Sequence, residues 1–339
     1  MSFINRFKSK DYASSQTTEL DASDNHRRKT EFFNHPVEQP FSLNKDMQAS
    51  FNTLFYHQIF KTPLNDQALS NDMKLALDQL AAQLLKNNEF REKATPRMPA
   101  VLPQLMKCLK DENANKNQFV ELIKQDAAIA AAVLKSANSV LYNPSGRKID
   151  SFNRAVVILG VGGLKSIVCT AMLKPVSRTK SGNEELTKQL WAHSLRTGIA
   201  AQLMSKQYAQ DPFIAYLVGL FHSIGALTLN TQLNLWGFKN MREEANSFMY
   251  LKKQCSEQLT LAIIKQWELP EDIQKAMANQ MNNEDHQLLS HAASLSHLIA
   301  LHEQDKINDA ELEEHLEAFA VNSSFTEQVA TITHETLNT

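Results

Sequence analysis

Apolar residues recur at helical spacing through most of this chain, and no segment shows the strict alternation of a half-buried strand. One stripe, Met73, Leu77, Leu80 and Leu84, has 4-3-4 spacing and places four side chains on one helix face. Glycine accounts for only 9 of 339 residues, whereas sheet proteins generally need more glycine for their turns. The sequence therefore predicts an all-α fold.

Composition and prolines divide the chain into four predicted parts. Residues 1–40 are polar and lack periodicity, which predicts a disordered or extended arm. Residues 41–94 carry two helical stripes and form an N-terminal helical extension, which could dock on the main body or mediate self-association. The segment Thr95-Pro96-Arg97-Met98-Pro99 begins a main domain at 95–305, with single long helices expected at 184–209 and 213–229. Residues 306–339 are predicted to pack on that domain as C-terminal helices.

Charge, apolar runs and cysteines limit the functional class. The net charge is −2 with both signs mixed along the chain, so we expect no nucleic-acid partner. The longest apolar runs, 127–134 and 156–164, are well short of the roughly 18 residues of a membrane span. Cys108, Cys169 and Cys255 are dispersed, which is typical of buried free thiols in a reducing compartment. These features predict a cytoplasmic protein without a membrane span.

A glycine-rich segment at residues 160–166 invites comparison with phosphate-binding loops. The spacing fits neither common loop, because Leu164 stands where a P-loop needs glycine and Lys165 where a dinucleotide loop needs its third glycine. We interpret the segment as a tight connection between two helices, where Gly160, Gly162 and Gly163 let backbones approach closely.

Two histidines in helical contexts are the candidate metal ligands. Sites that activate water for attack on phosphate combine imidazole and carboxylate ligands around a divalent ion. His193 and His222 could supply the imidazoles, but the residue after His222 is Ser223, a neutral hydroxyl. Two histidines alone leave too few ligands. We therefore expect no metal and no cofactor, with packed core histidines as the simpler interpretation.

Several short motifs occur in one recognisable order. They are Pro96-Arg97-Met98-Pro99, Asp126-Ala127-Ala128-Ile129-Ala130 with Leu134, Ala137-Asn138-Ser139 with Tyr142, Ile149 to Ser151 with Ala155 and Leu159-Gly160, Trp191-Ala192-His193-Ser194, Gly219-Leu220-Phe221-His222, and Trp267-Glu268-Leu269-Pro270. With these motifs the chain from about Pro96 to about His302 resembles HDOD domains, a branch of the HD phosphohydrolase superfamily.

The resemblance implies an HD-like helical bundle in two packed sub-bundles. HDOD domains are generally regarded as non-catalytic bacterial signalling or scaffold modules, often joined to cyclic-di-GMP, two-component or chemotaxis elements. Against the superfamily pattern, Ser223 replaces an aspartate, Gln280 stands for a histidine, and Ser296-His297 stands for a late Ala-Asp pair. The resemblance thus implies remnant metal-site positions at His193, His222, Ser223, Gln280 and His297.

Three functions remain open on the sequence. The first is a non-catalytic signalling module that acts through protein partners, with a homodimer left open. The second is a residual metal-dependent phosphohydrolase that uses His297 with His193 and His222. The third is a nucleotide-binding sensor with its site in a cleft between the sub-bundles. The Asn138, Ser139 and Tyr142 signature is either structural or a partner contact, because asparagine at a helix end can satisfy free backbone groups.

Overall fold

The computed structural model describes residues 45–61, 69–96, 123, 127–139, 142–143, 145–173, 183–236, 238, 240–282, 287–317, 319 and 321–337. These residues contain helices and no strand, which confirms the predicted all-α fold. The α-helices are α1 Lys45–Phe60, α2 Asn71–Lys86, α3 Asn88–Ala94, α4 Ala127–Ala137, α5 Phe152–Leu173, α6 Glu184–Met204, α7 Pro212–Phe221, α8 Ile224–Leu233, α9 Met241–Gln266, α10 Glu271–Asn282, α11 Gln287–Glu303, α12 Asp309–Glu317 and α13 Ser323–Leu337. The predicted arm at 1–40 and Cys108 lie outside the described residues.

Side-chain caps explain where many of these helices begin. An oxygen of the residue before the first turn accepts a backbone N–H at α2, α3, α6, α7 and α9; the capping residues are Ser70, Asn87, Asn183, Asp211 and Asn240. Each cap satisfies donors that the helix itself leaves unpaired. At α7 the cap is followed by Pro212, whose missing N–H costs nothing in the first turn.

The helix α6 is the centre of the fold and packs on α7 and α11. A Cβ atom built on Gly219 would lie 2.6 Å from the Cα atom of Gly198, so only glycines allow α6 and α7 to cross this closely. A Cβ atom on Gly225 would lie 2.2 Å from the carbonyl oxygen of Ser256, where α8 meets α9. The contacts of α6 with α7 and of α8 with α9 are therefore built on these glycines.

The pair α4 and α5 packs together and meets the larger bundle through α7. Inside α5, Gly160 has φ 64° and ψ 177°, and the halves Phe152–Gly160 and Gly162–Ala171 meet at 115°. The predicted tight connection is confirmed. The predicted close backbone approach is wrong at Gly160 and Gly162, because a Cβ atom at either position meets nothing within 4 Å.

The single helix expected at 213–229 is wrong, because the chain breaks between α7 and α8. Ser223 has φ −95° and ψ 7°, outside the helical region. The Thr260 hydroxyl on α9 stabilises this break: it lies 3.2 Å from the carbonyl oxygen of His222 and 3.1 Å from the amide of Gly225. An apolar stripe continues across the break, which is why periodicity alone predicts one helix.

The N-terminal helices dock on the main body: α1 packs on α6, α9 and α11, and α2 packs on α9. At the other end of the chain α13 packs on α6. The segment Pro212–Trp236, which contains α7 and α8, is long and apolar enough for a membrane span, but 78% of its most apolar window is buried inside the protein. The segment is therefore mostly a part of the protein core. Cys169 and Cys255 are buried and free, as expected.

Candidate functional site

Three histidines from distant parts of the chain form a buried cluster, which we call the histidine cluster. His193 lies on α6, His222 directly follows α7, and His297 lies on α11. The Nε2 atoms of His193 and His222 are 3.2 Å apart. The rings of His193 and His297 stack with centroids 4.2 Å apart and an interplanar angle of 9°. The fold therefore brings together three of the five predicted remnant positions, and the fourth, Ser223, is adjacent.

Hydrogen bonds inside the protein occupy the ring nitrogens of two of these histidines. The Nδ1 atom of His222 donates to the carbonyl oxygen of Gly219, so neutral His222 leaves Nε2 as an acceptor. That Nε2 lies 2.9 Å from the Ser223 hydroxyl. His193 Nδ1 lies 2.8 Å from Ser296 Oγ. We assign His193 as the Nε2–H tautomer that donates to His222, because two bare nitrogens 3.2 Å apart would repel.

The N-terminal helix α1 covers the histidine cluster with an aromatic side chain. The ring of Phe55 lies 4.5 Å from the ring of His297 and 5.2 Å from the ring of His193, centroid to centroid. Phe55 is 1% exposed and the adjacent Tyr56 is 2% exposed. The docked extension therefore occupies space directly beside the imidazoles.

A lysine on α9 adds positive charge beside the same cluster. The Nζ atom of Lys252 lies 5.0 Å from the centre of the Tyr56 ring and 3.4 Å from Oδ1 of Asn52 on α1. Burial lowers the pKa of Lys252, and Glu257 opposes that shift. The ammonium group of Lys252 acts electrostatically on His193, His222 and His297.

All three imidazoles are held in the neutral form. Burial is the main cause, and it lowers the pKa of His193 and His297 well below 6.5. Burial lowers the pKa of His222 to about 4, although the hydrogen bond to Gly219 opposes the shift. Repulsion from Lys252 lowers the pKa further in each case. The described residues contain no group of three or more His, Cys, Asp or Glu side chains that could hold a metal ion.

The remaining predicted position, Gln280, has a different environment. Its side-chain oxygen accepts a hydrogen bond of 3.1 Å from the backbone amide of Leu289, which ties α10 to α11. No described hydrogen bond joins Gln280 to the histidine cluster. Among the described residues its contact is therefore with the start of α11.

The Asn138, Ser139 and Tyr142 signature joins α4 to the segment that leads into α5. The side-chain amide of Asn138 donates to the carbonyl oxygens of Leu134 at 2.8 Å and Ile149 at 2.7 Å, and its oxygen accepts from the Ile149 amide at 2.8 Å. These bonds hold the end of α4 against the following segment. Ser139 differs, because its buried Oγ atom has no hydrogen-bond partner in the described structure.

A cavity of about 900 Å³ opens between α4, the bend of α5, α6 and α13. The residues of both sequence signatures line it; they are Asn138, Ser139, Tyr142, Gly160, Gly162 and Gly163. A Cβ atom on Gly163 would lie 3.3 Å from the hydroxyl oxygen of Tyr142, so the two signatures touch. Burial and the charge of Glu335 raise the pKa of Tyr142 to about 12, so this hydroxyl stays protonated.

Comparison with known families identifies the family of the chain. Residues 95–283 match the HDOD domain, which is more than half of the 339 residues. The chain belongs to the HDOD family. The HDOD match includes α4 to α10 and ends before α11, so His297 and all of α1 lie outside it.

Two solved structures share the fold of this HDOD protein. A protein of Shewanella amazonensis SB2B, provisionally named a metal-dependent phosphohydrolase, is 22% identical with a TM-score of 0.56, and the match covers 77% of this chain and 99% of that one. An HDOD domain protein with unknown function from Geobacter sulfurreducens is 19% identical with a TM-score of 0.53, covering 77% and 96%. At these identities the similarity establishes the helical fold and no activity.

A curated relative covers a smaller part of the HDOD chain. An uncharacterized protein of Treponema pallidum (strain Nichols) is 27% identical over 138 residues, or 40% of this chain. The match spans about a quarter of that protein, 26% of its length.

Sequence reasoning missed several residues of the histidine cluster. Phe55 was recognisable as part of an apolar stripe, but a stripe shows that a side chain is buried and not what it is buried against. Lys252 gave no signal, because it lies far along the chain from His193, and Ser296 entered only through the resemblance, as the residue before His297. Only the packing of α1, α9 and α11 around α6 brings them to the HDOD histidines.

Proposed function

We propose that this HDOD protein is a non-catalytic signal-transduction or scaffold module that acts through protein partners in the bacterial cytoplasm. The observation that carries the proposal is the content of the histidine cluster. Phe55 takes up the space beside the imidazoles, and Lys252 supplies a positive charge there. Partners in cyclic-di-GMP or two-component pathways are what the family resemblance favours.

The donor set of the cluster does not fit a divalent metal ion. Ser223 is neutral where the superfamily has an aspartate, and the described contacts of the cluster include no carboxylate. His193 and His222 direct their Nε2 atoms at each other, and His297 stacks beside His193. A divalent cation would also face the Lys252 ammonium, which a carboxylate ligand would ordinarily offset. These features support the loss of metal-dependent hydrolysis.

Metal content and hydrolytic activity test the proposal directly. The full chain is purified from cells supplied with iron and manganese, its metals are measured by mass spectrometry, and phosphodiesterase turnover is assayed with cyclic-di-GMP and a nitrophenyl phosphodiester. We expect metal far below one ion per chain and no turnover above background with Mn²⁺, Fe²⁺ or Mg²⁺.

Two histidine variants show whether any observed turnover arises at the histidine cluster. His193→Ala removes a cluster histidine, and His291→Ala removes a buried histidine that contacts Tyr208 instead. Stoichiometric iron or manganese, or turnover lost in His193→Ala and kept in His291→Ala, would overturn the proposal in favour of a residual phosphohydrolase. Turnover that is equal in both variants and stays with the chain through further purification would also overturn the non-catalytic role, because the activity would then arise outside the histidine cluster.

A further inference from the structure

We propose that the cavity between α4, α5, α6 and α13 binds a small amphipathic acid, a molecule with an apolar body and one anionic head. This site is separate from the histidine cluster, and the inference goes beyond the proposed signalling role without depending on it. It rests on the cavity lining, on one glycine, on one hydroxyl group and on the balance of charge.

The size and the walls of the cavity suit a ligand with an apolar body. Its volume of about 900 Å³ is within the roughly 300–1,000 Å³ of typical small-molecule sites. Apolar side chains from three helices form much of the wall; they are Val157, Ile167, Leu195, Ile199, Leu203 and Ile332. A cyclic dinucleotide would place many ribose and phosphate oxygens against these groups without hydrogen bonds, which is unfavourable.

Gly162 is a glycine that the protein itself does not require. Its backbone is helical, and a Cβ atom there would meet no atom within 4 Å. Gly160 differs, because its positive φ of 64° is a backbone conformation that favours glycine. Gly162 lines the cavity, and its missing side chain leaves space in which a ligand can approach the backbone closely.

Ser139 supplies a hydroxyl group that the protein leaves without a partner. Ser139 lines the cavity, and its buried Oγ atom has no hydrogen-bond partner in the described part of the chain. A buried, unpaired polar group destabilises the folded state. A ligand oxygen that accepts from this hydroxyl would remove that penalty, so Ser139 marks the position of the polar head.

The charges around the cavity favour an anion. The described lining includes two lysines, Lys135 and Lys206, and one carboxylate, Glu335, so the lysines outnumber the carboxylates by one. The phenol of Tyr142 stays protonated because burial and Glu335 raise its pKa to about 12, so it adds a donor and no negative charge. A single acidic head group is the complement of this lining.

Fluorescence titration of the full chain with anilinonaphthalene sulfonate, an aromatic body with one sulfonate, tests the site. We expect saturable binding that dodecanoate displaces. Gly162→Leu, which projects a side chain into the open space, should weaken binding more than about tenfold, since a filled pocket rejects a ligand by steric clash. Ser139→Ala should weaken binding about fivefold through the lost hydrogen bond, without lowering the thermal midpoint.

The control is Leu235→Ala, which trims an apolar side chain that is 70% exposed and does not line the cavity. It should keep the affinity of the unchanged protein. Dye binding that resists both Gly162→Leu and Ser139→Ala would overturn the inference, because the dye would then lie elsewhere. Displacement by cyclic-di-GMP and not by dodecanoate would also overturn it, since the ligand would be a nucleotide. Neither result affects the metal content that tests the proposed function.

Discussion

The histidine cluster and the cavity beside the bend of α5 both lie against α6, but the protein treats them in opposite ways. In the cluster, Ser223, Ser296 and a backbone carbonyl occupy ring nitrogens of His193 and His222, and Phe55 takes up the space beside the rings. In the cavity, the hydroxyl of Ser139 has no described partner. A site is closed when its volume is filled and its polar groups are paired. The cluster is filled and the ring nitrogens of His193 and His222 are paired, whereas Nε2 of His297 has no hydrogen-bond partner among the described residues.

The largest expected effect comes from removing Phe55, the side chain that closes the histidine cluster. Phe55→Ala deletes a ring that is 1% exposed and packed on His193 and His297. We expect the free energy of unfolding to fall by about 3–5 kcal/mol, the range for loss of a buried phenyl ring. Urea unfolding followed by circular dichroism measures the change.

The neighbouring Leu54 provides the control, because it lies on the same helix and is 46% exposed. Leu54→Ala should change the free energy of unfolding by less than about 0.5 kcal/mol, as is usual for surface positions. If the two variants lost equal stability, Phe55 would not be the residue that closes the cluster.

The second effect is a loss of stability in acid. In the folded protein burial holds the pKa of His193 and His297 well below 6.5 and that of His222 at about 4, whereas the unfolded chain has ordinary histidines. As the pH falls below 6.5 the unfolded chain therefore takes up protons first. The stabilisation is complete above pH 6.5 and decreases below it, by about 1.4 kcal/mol per pH unit for each histidine that stays neutral.

Urea midpoints compared between pH 7 and about pH 5.5 measure this loss, above the range where most carboxylates titrate. His222→Asn should reduce the acid-dependent loss of stability by the contribution of one histidine. The control is His57→Gln, at an exposed position on α1 outside the histidine cluster. Stability that is independent of pH across this interval would show that the cluster imidazoles are not buried in their neutral form.

The smallest expected effect is a gain in stability at Gly162, which lines the cavity. Gly162→Ala adds a methyl group to a helical position where nothing lies within 4 Å. We expect the free energy of unfolding to rise by about 0.5–1 kcal/mol, because alanine loses less conformational entropy than glycine in a helix. Thermal and urea unfolding of the same samples measure the gain.

Gly219→Ala is the matched change at a closed position, since its methyl group would lie 2.6 Å from the Cα atom of Gly198. It should destabilise the protein where Gly162→Ala stabilises it. A loss of stability in Gly162→Ala would mean that the bend of α5 is packed, contrary to an open cavity.

Much of the fold follows from the sequence because its signals are local. Helical periodicity predicts the class, the order of short motifs predicts the HDOD segment, and the bend at Gly160 follows from a glycine cluster between two apolar stripes. The same motifs contain His193 and His222. Periodicity failed at the break between α7 and α8, because the apolar stripe continues while Thr260, on another helix, satisfies the freed backbone groups.

The sequence by itself determined the helical class, the family and the residues that carry its signatures, because each depends on neighbours along the chain. Only the tertiary structure decided that α1 docks on the main body, that Phe55 and Lys252 lie at the histidine cluster, and that the Ser139 and Gly162 signatures share one cavity. The physical reason is that a side chain's polarity predicts its burial, whereas its partners depend on how distant helices pack.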